Sequence, residues 1–330
     1  MAAVRKRLFL HIGSHKTATT FLQSTFAGNT DVLSDLGILY PKAGRIWQAH
    51  FKLCWDLKDA ALTDRPLEAL EHWAALFEEI DASPHPVVVI SSEEFGLGLN
   101  PARLAVLSAR YDVAVIFYLR SPDSYLESFY NQVVKDFDTR EARTLADYCQ
   151  EESLFFLDTM KLLRPWADLF GPAAVRLRLF GAAHLPEGIL PDFLATLGCT
   201  RRPEFRPPDL SILHKVSLPP DALDYLRLCN PWLTRSEGHH DFVVRLVQMA
   251  QQHTAALQET RAGMLSHKAR QTVRLRFRDS NLQAARLFLG ADRTPFPPQD
   301  APAPAGYDSR LPEATPRIMG KVAAMIRNIG

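Results

Sequence analysis

The sequence predicts an α/β protein built on a parallel sheet flanked by helices, and three observations lead there. Continuous apolar runs within 7–13, at 87–90 and at 113–119 have the composition of strands buried on both faces. The intervening stretches have a helical period: Leu67, Leu70, Trp73, Leu76, Phe77 and Ile80 share one face. Strands that alternate with helices join through right-handed crossovers into a parallel sheet.

Residues 7–13 read as the first strand and 17–27 as the helix behind it. Gly37-Ile38-Leu39-Tyr40-Pro41 is a short extended piece, 66–81 a helix and 86–92 a strand. Asn100-Pro101 starts a helix, with a cap residue followed by proline at the first position. A strand at 113–119 leads to a helix at 122–137 and a helical region through about residue 170. The alternating stretch 174–180 is a further strand, ended by Gly181. Then the character changes. Pro203, Pro207, Pro208, Pro219 and Pro220 punctuate a loop-rich stretch before helices at 238–260 and 279–289. A Pro- and Ala-rich extended arm at 294–316 and a short helix at 315–329 finish the chain. The expected organisation is a core over 1–200 with a helical extension over 201–330 packed on it as a single domain.

Composition narrows the function classes. The chain has 330 residues, 47% of them hydrophobic and 23% charged, with a formal net charge of +1. Nothing in that balance points to nucleic acid or an anionic membrane, so an anion site must come from local clustering. The apolar runs are too short to span a bilayer. Met1-Ala2-Ala3-Val4-Arg5-Lys6-Arg7 runs straight into the first strand and does not read as a signal peptide, so a cytoplasmic protein is expected. Cys54, Cys149, Cys199 and Cys229 are scattered, with no Cys-x-x-Cys pair and no histidine at zinc-ligand spacing. They read as buried thiols, and no metal is expected.

The richest segment is Leu8-Phe9-Leu10-His11-Ile12-Gly13-Ser14-His15-Lys16-Thr17-Ala18-Thr19-Thr20-Phe21-Leu22-Gln23. An apolar strand ends at a glycine, then come a lysine and three threonines, then a helix start. Backbone N–H groups at a helix N-terminus point at an anion there, and the helix dipole favours negative charge. Lys16 adds a full charge, and the threonines add hydroxyl donors. The nucleotide-triphosphatase signature is absent. It needs a glycine directly before the lysine, where this chain has His15, and an earlier glycine further back than Gly13.

A second segment follows the 113–119 strand: Tyr118-Leu119-Arg120-Ser121-Pro122-Asp123-Ser124-Tyr125-Leu126-Glu127-Ser128. Arg120 at the strand end can grip a phosphate bidentately. Pro122 starts a helix with fixed φ, and Ser128 lies about two turns along it. Taken singly, Arg120 also suits a salt bridge with Glu127 or Asp123, and Ser128 a surface hydroxyl. Both segments stand at the C-terminal ends of expected parallel strands, where open α/β sheets bind ligands.

The first segment resembles the 5′-phosphosulfate loop of sulfotransferases that use 3′-phosphoadenosine 5′-phosphosulfate (PAPS), with Ala18 where that family has glycine. The Arg-x-Pro-x5-Ser unit of Arg120, Pro122 and Ser128 resembles the family's 3′-phosphate element. The resemblance covers about residues 7–180. It implies a three-layer, P-loop-like parallel sheet and transfer of a sulfuryl group from PAPS to a hydroxyl of a glycan or other small acceptor. It also implies that His15, Lys16, Thr17, Ala18, Thr19, Thr20, Arg120 and Ser128 bind the donor, with Lys16 at the sulfate-bridging oxygen. Ala18 is expected to have an ordinary helical or β backbone. In the family a His or Glu base follows the strand before the one carrying the arginine. The corresponding place here is Ser91-Ser92-Glu93-Glu94, which makes Glu93 the first candidate and Glu94 the second; His50 is the rival. Phe21 stands where the family often packs an aromatic on adenine, or else in the core.

Two features stay open. Lys268-Ala269-Arg270-Gln271-Thr272-Val273-Arg274-Leu275-Arg276-Phe277-Arg278 is locally basic. If extended, it would turn three guanidinium groups to one side, for the 3′-phosphate, for an acidic acceptor or simply for solvent. Trp47, Trp55, Tyr125 and Tyr130 suit either an acceptor cleft or the core. The competing function classes are a P-loop kinase or nucleotide-binding protein using 13–20 for phosphate, and a non-catalytic protein with a degenerate nucleotide fold.

Overall fold

The computed structural model describes residues 5–97, 99–150, 154–200, 203–208, 217–234, 238–252 and 263–297. Five strands form one parallel sheet: β1 (Arg7–His11), β2 (Ile38–Leu39), β3 (Val87–Ser91), β4 (Asp112–Arg120) and β5 (Val175–Phe180). Their order is β2-β3-β1-β4-β5. β1 is central, with Leu10 in register with Ile90 on one side and Val115 on the other. The chain leaves β1 toward β2 and β3 on one side and, after β3, crosses to β4 and β5 on the other, so the C-terminal end of β1 lies at the switch point where such sheets open a crevice.

The apolar runs become central strands because both of their faces are covered. Leu8, Leu10, Ile12, Val88, Ile90, Val115 and Phe117 face one core, with Trp73, Phe77, Leu163 and Trp166 against them. The intervening Phe9, Val89, Ala114, Ile116 and Tyr118 face the other, with Leu22, Phe26 and Phe193. Strand alternation therefore divides one hydrophobic run between two cores, and the architecture has three layers. Helices Glu71–Ala82 and Thr159–Phe170 carry the first core; α1 (Thr19–Gly28) and the helix Ile189–Thr196 carry the second.

Several boundaries differ from expectation for local reasons. The 66–81 segment starts as a 3₁₀ turn at Leu67–Ala69; the extended backbone of Leu70 separates it from the helix proper. Asn100 caps as expected, its side chain accepting from Ala102 N–H at 3.1 Å, yet the turn it opens is 3₁₀ over Pro101–Val106. The helix expected over 279–289 is Arg278–Ala284 followed by a π-helical turn Ala285–Leu289, and Ser280 and Asn281 inside it do not serve its own ends. Instead they brace the helix Thr159–Phe170: Ser280 Oγ accepts Met160 N–H at 2.9 Å, and Thr159 Oγ1 meets Asn281 Oδ1 at 2.6 Å. The helix expected over 238–260 is described as His239–Gln252. The rest of that stretch, nearly all of the 294–316 arm and the 315–329 helix lie outside the described residues.

The described residues fall into two units, neither a continuous stretch. One is drawn from Met1–Ser121, Asp158–Asp209 and Arg278–Phe296, the other from Pro122–Leu157, Leu210–Phe277 and Pro297–Gly330. Residue 200, where the break was expected, falls within the first. That unit contains the whole sheet. The second is helical, and its basic segment settles an alternative left open: 268–278 is not extended. Ser266 caps a helix His267–Arg276, its side chain accepting from Ala269 N–H. Arg270 and Arg274, one turn apart, meet the helix Pro122–Lys135. Arg274 Nε lies 2.9 Å and Arg270 Nη1 3.2 Å from Asp123, and Arg270 Nη2 lies 2.6 Å from Glu127.

Asp123 is 1% exposed between these two guanidinium groups, so removing its charge leaves two cations facing each other with little water. Asp123→Asn is expected to destabilise the protein by about 3 kcal/mol, read from urea unfolding.

Candidate functional site

At the C-terminal end of β1 the backbone turns on residues with positive φ. Gly13 has φ +49°, Lys16 φ +65° and Ala18 φ +58° with ψ +27°. The ordinary backbone expected at Ala18 is therefore not what the chain adopts; the alanine sits in the left-handed region. An L-residue there costs on the order of 1 kcal/mol or more, and two in three residues mark a conformation that its surroundings impose. Thr17 between them does not share it, and such alternation turns successive N–H groups toward one concave side, the geometry of an anion nest.

The imposing contacts are identifiable. Thr17 Oγ1 donates to Ser14 O at 2.7 Å, and Ser14 Oγ donates to Tyr118 O on β4 at 3.0 Å. Arg120, the last residue of β4, donates from Nη1 to Lys16 O at 2.8 Å. A Cβ on Gly13 would lie 2.9 Å from Thr19 Cγ2, and one on Gly96 only 2.7 Å from Gly13 O. Both positions need glycine for close approach. The loop leads into α1, whose cap residue Ala18 makes no side-chain hydrogen bond and whose first turn holds no acidic residue. The positive end of that helix dipole has no carboxylate of its own.

The expected donor-site residues sort themselves within this frame. Lys16 and Arg120 converge on one loop. His15, Lys16, Ala18 and Thr20 are half-buried, and Thr17 and Thr19 are buried. Thr17's single proton is engaged inside the loop. Ser128 is half-buried on the helix Pro122–Lys135 in the second unit. Phe21 packs against the second core.

Glu93 opens a 3₁₀ turn directly after β3, at the same end of the sheet. Its carboxylate is buried, 4% exposed, and Oε2 accepts from Gln23 Nε2 at 3.0 Å. Its Cα and Cβ lie 3.6 Å from where a Gly13 Cβ would stand, so it abuts the loop. Glu94 turns the other way into an ion pair with Lys58 at 2.6 Å. Of the two adjacent carboxylates, only Glu93 faces the loop.

His50 is fully buried. Ser91 N–H donates to its Nδ1 at 3.1 Å, which leaves the proton on Nε2 to donate to Pro41 O at 3.0 Å. Both nitrogens brace the turn after β2 against the end of β3. Burial pulls its pKa down to about 4, opposed by its contacts with the Ser91 and Pro41 carbonyls. Sequence reasoning missed His11, Ser91 and Gln23. His11 Nδ1 is 2.8 Å from Ser91 Oγ, which also accepts from Gln23 Nε2 at 3.2 Å. Burial likewise lowers His11 to about 4, against the attraction of Glu93. A signal for this group was present: Gln23 is a polar side chain on the buried stripe of α1 beside Leu22 and Phe26, and His11 and Ser91 end neighbouring apolar strands in register.

Together these residues define an α/β protein with a strained, cation-rich loop at the switch point and a buried carboxylate beside it. No family model and no curated protein matches the chain. Among solved structures, a crystal structure of a sulfotransferase from Alicyclobacillus acidocaldarius is similar at 19% identity and a TM-score of 0.38, over 76% of this chain and 98% of that one. Among the described residues no three His, Cys, Asp or Glu side chains gather as a metal would require, and no helix is long and apolar enough to cross a membrane.

Two outcomes follow from the geometry. Ala18→Gly relieves the left-handed strain and is expected to be neutral or stabilising by up to about 1 kcal/mol in urea unfolding, where the same change inside an ordinary helix costs about that much. The folded pKa of His11 and His50, about 4, lies below their ordinary 6.5. Between those values the unfolded chain binds protons that the folded chain does not. Their contribution is complete above pH 6.5 and is lost as pH falls toward 4, on the order of 3 kcal/mol per ring. Unfolding free energy measured from pH 7 to 4 should fall accordingly, with a clearly shallower slope in His50→Asn.

Proposed function

We propose that this chain is a PAPS-dependent O-sulfotransferase acting on a hydroxyl-bearing acceptor. The observation that carries the reading is the hydrogen bond from Arg120 to the Lys16 carbonyl. It draws together the two cation-bearing elements that the sequence motifs single out, at the sheet edge where ligands of such folds bind. The donor supplies a sulfuryl group already joined to a phosphate leaving group. A Gly13 that tolerates no Cβ, left-handed Lys16 and Ala18, and an uncapped α1 suit its anionic end.

On this reading the loop N–H groups with Thr19 and Thr20 hold the 5′-phosphate, while His15, Thr17 and Ala18 shape the loop. Arg120 holds the 3′-phosphate. Lys16 meets the charge that develops on the bridging oxygen as the sulfur–oxygen bond breaks. Glu93 takes the proton of the acceptor hydroxyl while that oxygen bonds to sulfur, and Gln23 holds the carboxylate in place. The products are a sulfate ester, adenosine 3′,5′-bisphosphate and a proton on Glu93. His50 has no assigned proton-transfer role, because both its ring nitrogens brace backbone.

A carbohydrate acceptor is favoured by Trp47. It is 84% exposed and left-handed at φ +53°, on a turn tied to the end of β3 by His50 N–H to Ser91 O at 2.9 Å. A solvent-facing indole on a turn tied to Ser91, two residues before Glu93, suits stacking on a sugar ring. Trp55 is half-exposed in the same unit, whereas Tyr125 and Tyr130 are core residues of the other.

Calorimetry with adenosine 3′,5′-bisphosphate and with ATP–magnesium tests the proposal. Metal-independent binding of the bisphosphate, lost in Lys16→Ala and Arg120→Ala, is expected; a preference for ATP–magnesium overturns the reading. Glu93→Gln is expected to lower the rate of sulfate transfer to a hydroxyl-bearing acceptor by about 10²–10⁴-fold while bisphosphate affinity stays within a few-fold. Full turnover in Glu93→Gln with loss in His50→Ala would move the base to His50.

A further inference from the structure

The basic helix His267–Arg276 divides its cations between two faces. Arg270 and Arg274 are neutralised by Asp123 and Glu127. Lys268 and Arg276 point elsewhere. Both are exposed, and among the described residues neither lies within ion-pair distance of a carboxylate. With Thr272 they stand at i, i+4 and i+8, one row along the helix. The adjoining row, Leu265, Ala269 and Val273, is apolar.

These two rows form one wall of a cavity of about 510 Å³ wholly within the second unit. Leu145 and Leu154 face them from across it. Leu145, Leu154, Leu265 and Val273 are buried, so the floor is apolar, while Lys268, Thr272 and Arg276 make a polar, cationic edge. The volume lies in the range of small-molecule sites, which pair a largely apolar lining with a few polar groups that set orientation. Arg276 is held at that edge by Nη1 to Cys149 O at 3.5 Å and by its guanidinium 5.4 Å from the centre of the Phe277 ring.

We infer that this cavity binds a single-chain anionic amphiphile, its apolar chain on the leucine and valine floor and its anionic head against Lys268 and Arg276. Charge complementarity selects the head: among the described residues that line it, the edge offers two cations and no carboxylate. A neutral ligand would leave that edge unused, and a cationic one would meet repulsion. The site is independent of the nucleotide chemistry proposed for the sheet edge, so either assignment can fail without the other.

The test uses the full chain with dodecanoate below its micellar concentration, followed by calorimetry. Saturable one-to-one binding is expected, weakening about tenfold on shortening to decanoate, as burial of two methylene groups requires. Lys268→Glu with Arg276→Glu should weaken dodecanoate at least tenfold and tighten dodecyltrimethylammonium. Ala269→Phe, which fills the floor, should abolish binding of both. Circular dichroism and thermal unfolding check that the variants are folded; if Ala269→Phe unfolds, the double charge reversal on exposed positions still decides. Absence of saturable binding, no chain-length dependence, or affinity indifferent to the charge reversal overturns the inference. Binding only to anionic vesicles, without binding of monomeric dodecanoate, does so as well.

Discussion

The hydrogen bond from the Arg120 guanidinium to the Lys16 carbonyl is the contact on which the candidate site depends. The guanidinium donates to a backbone carbonyl and so fixes the loop's path from the end of β4. Neighbouring contacts work in the same direction. Ser14 ties the loop to β4, Gly96 lets the turn after β3 approach within van der Waals distance, and the left-handed Lys16 and Ala18 are held by that ring of contacts. Strain of this kind persists only where the surroundings over-determine it, and here β1, β3 and β4 each contribute an edge.

Glu93 gains its distinct position from the same construction. Two adjacent glutamates leave β3, and the 3₁₀ turn sends them in opposite directions: one to Lys58 at the surface, the other under the loop against Gln23. Behind it, Ser91 links Gln23 to His11, while His50 locks the backbone of Ser91. Burial keeps both imidazoles neutral at pH 7, so this scaffold adds hydrogen bonds without adding positive charge. In the second unit the opposite economy applies: four charges, Asp123, Glu127, Arg270 and Arg274, pin two helices together and release the remaining cations of the basic helix to its other face.

Much of the fold was legible in the chain. The 87–90 and 113–119 runs and the alternating 174–180 stretch are strands because their residue patterns suit only double burial or an edge. The strand, turn and helix around 7–28 were legible too, through an apolar run, a glycine and a helix start in that order. Ala18 was misjudged because intrinsic preference argues against a left-handed alanine, and only the tertiary contacts around it outweigh that preference. The 268–278 segment was ambiguous because alternating arginines fit a strand and i, i+4 arginines fit a helix. The carboxylates that choose the helix lie about 145 residues earlier in the chain.

What the sequence by itself determined is the order of strands and helices, since local periodicity and turn chemistry suffice to set it. Which side chains share a site was decided only by the tertiary structure. Register placed His11 beside Ser91, a 3₁₀ turn separated Glu93 from Glu94, and a buried backbone pairing made His50 a brace. The two pairings join residues 80 and 41 positions apart, and no short window along the chain contains them.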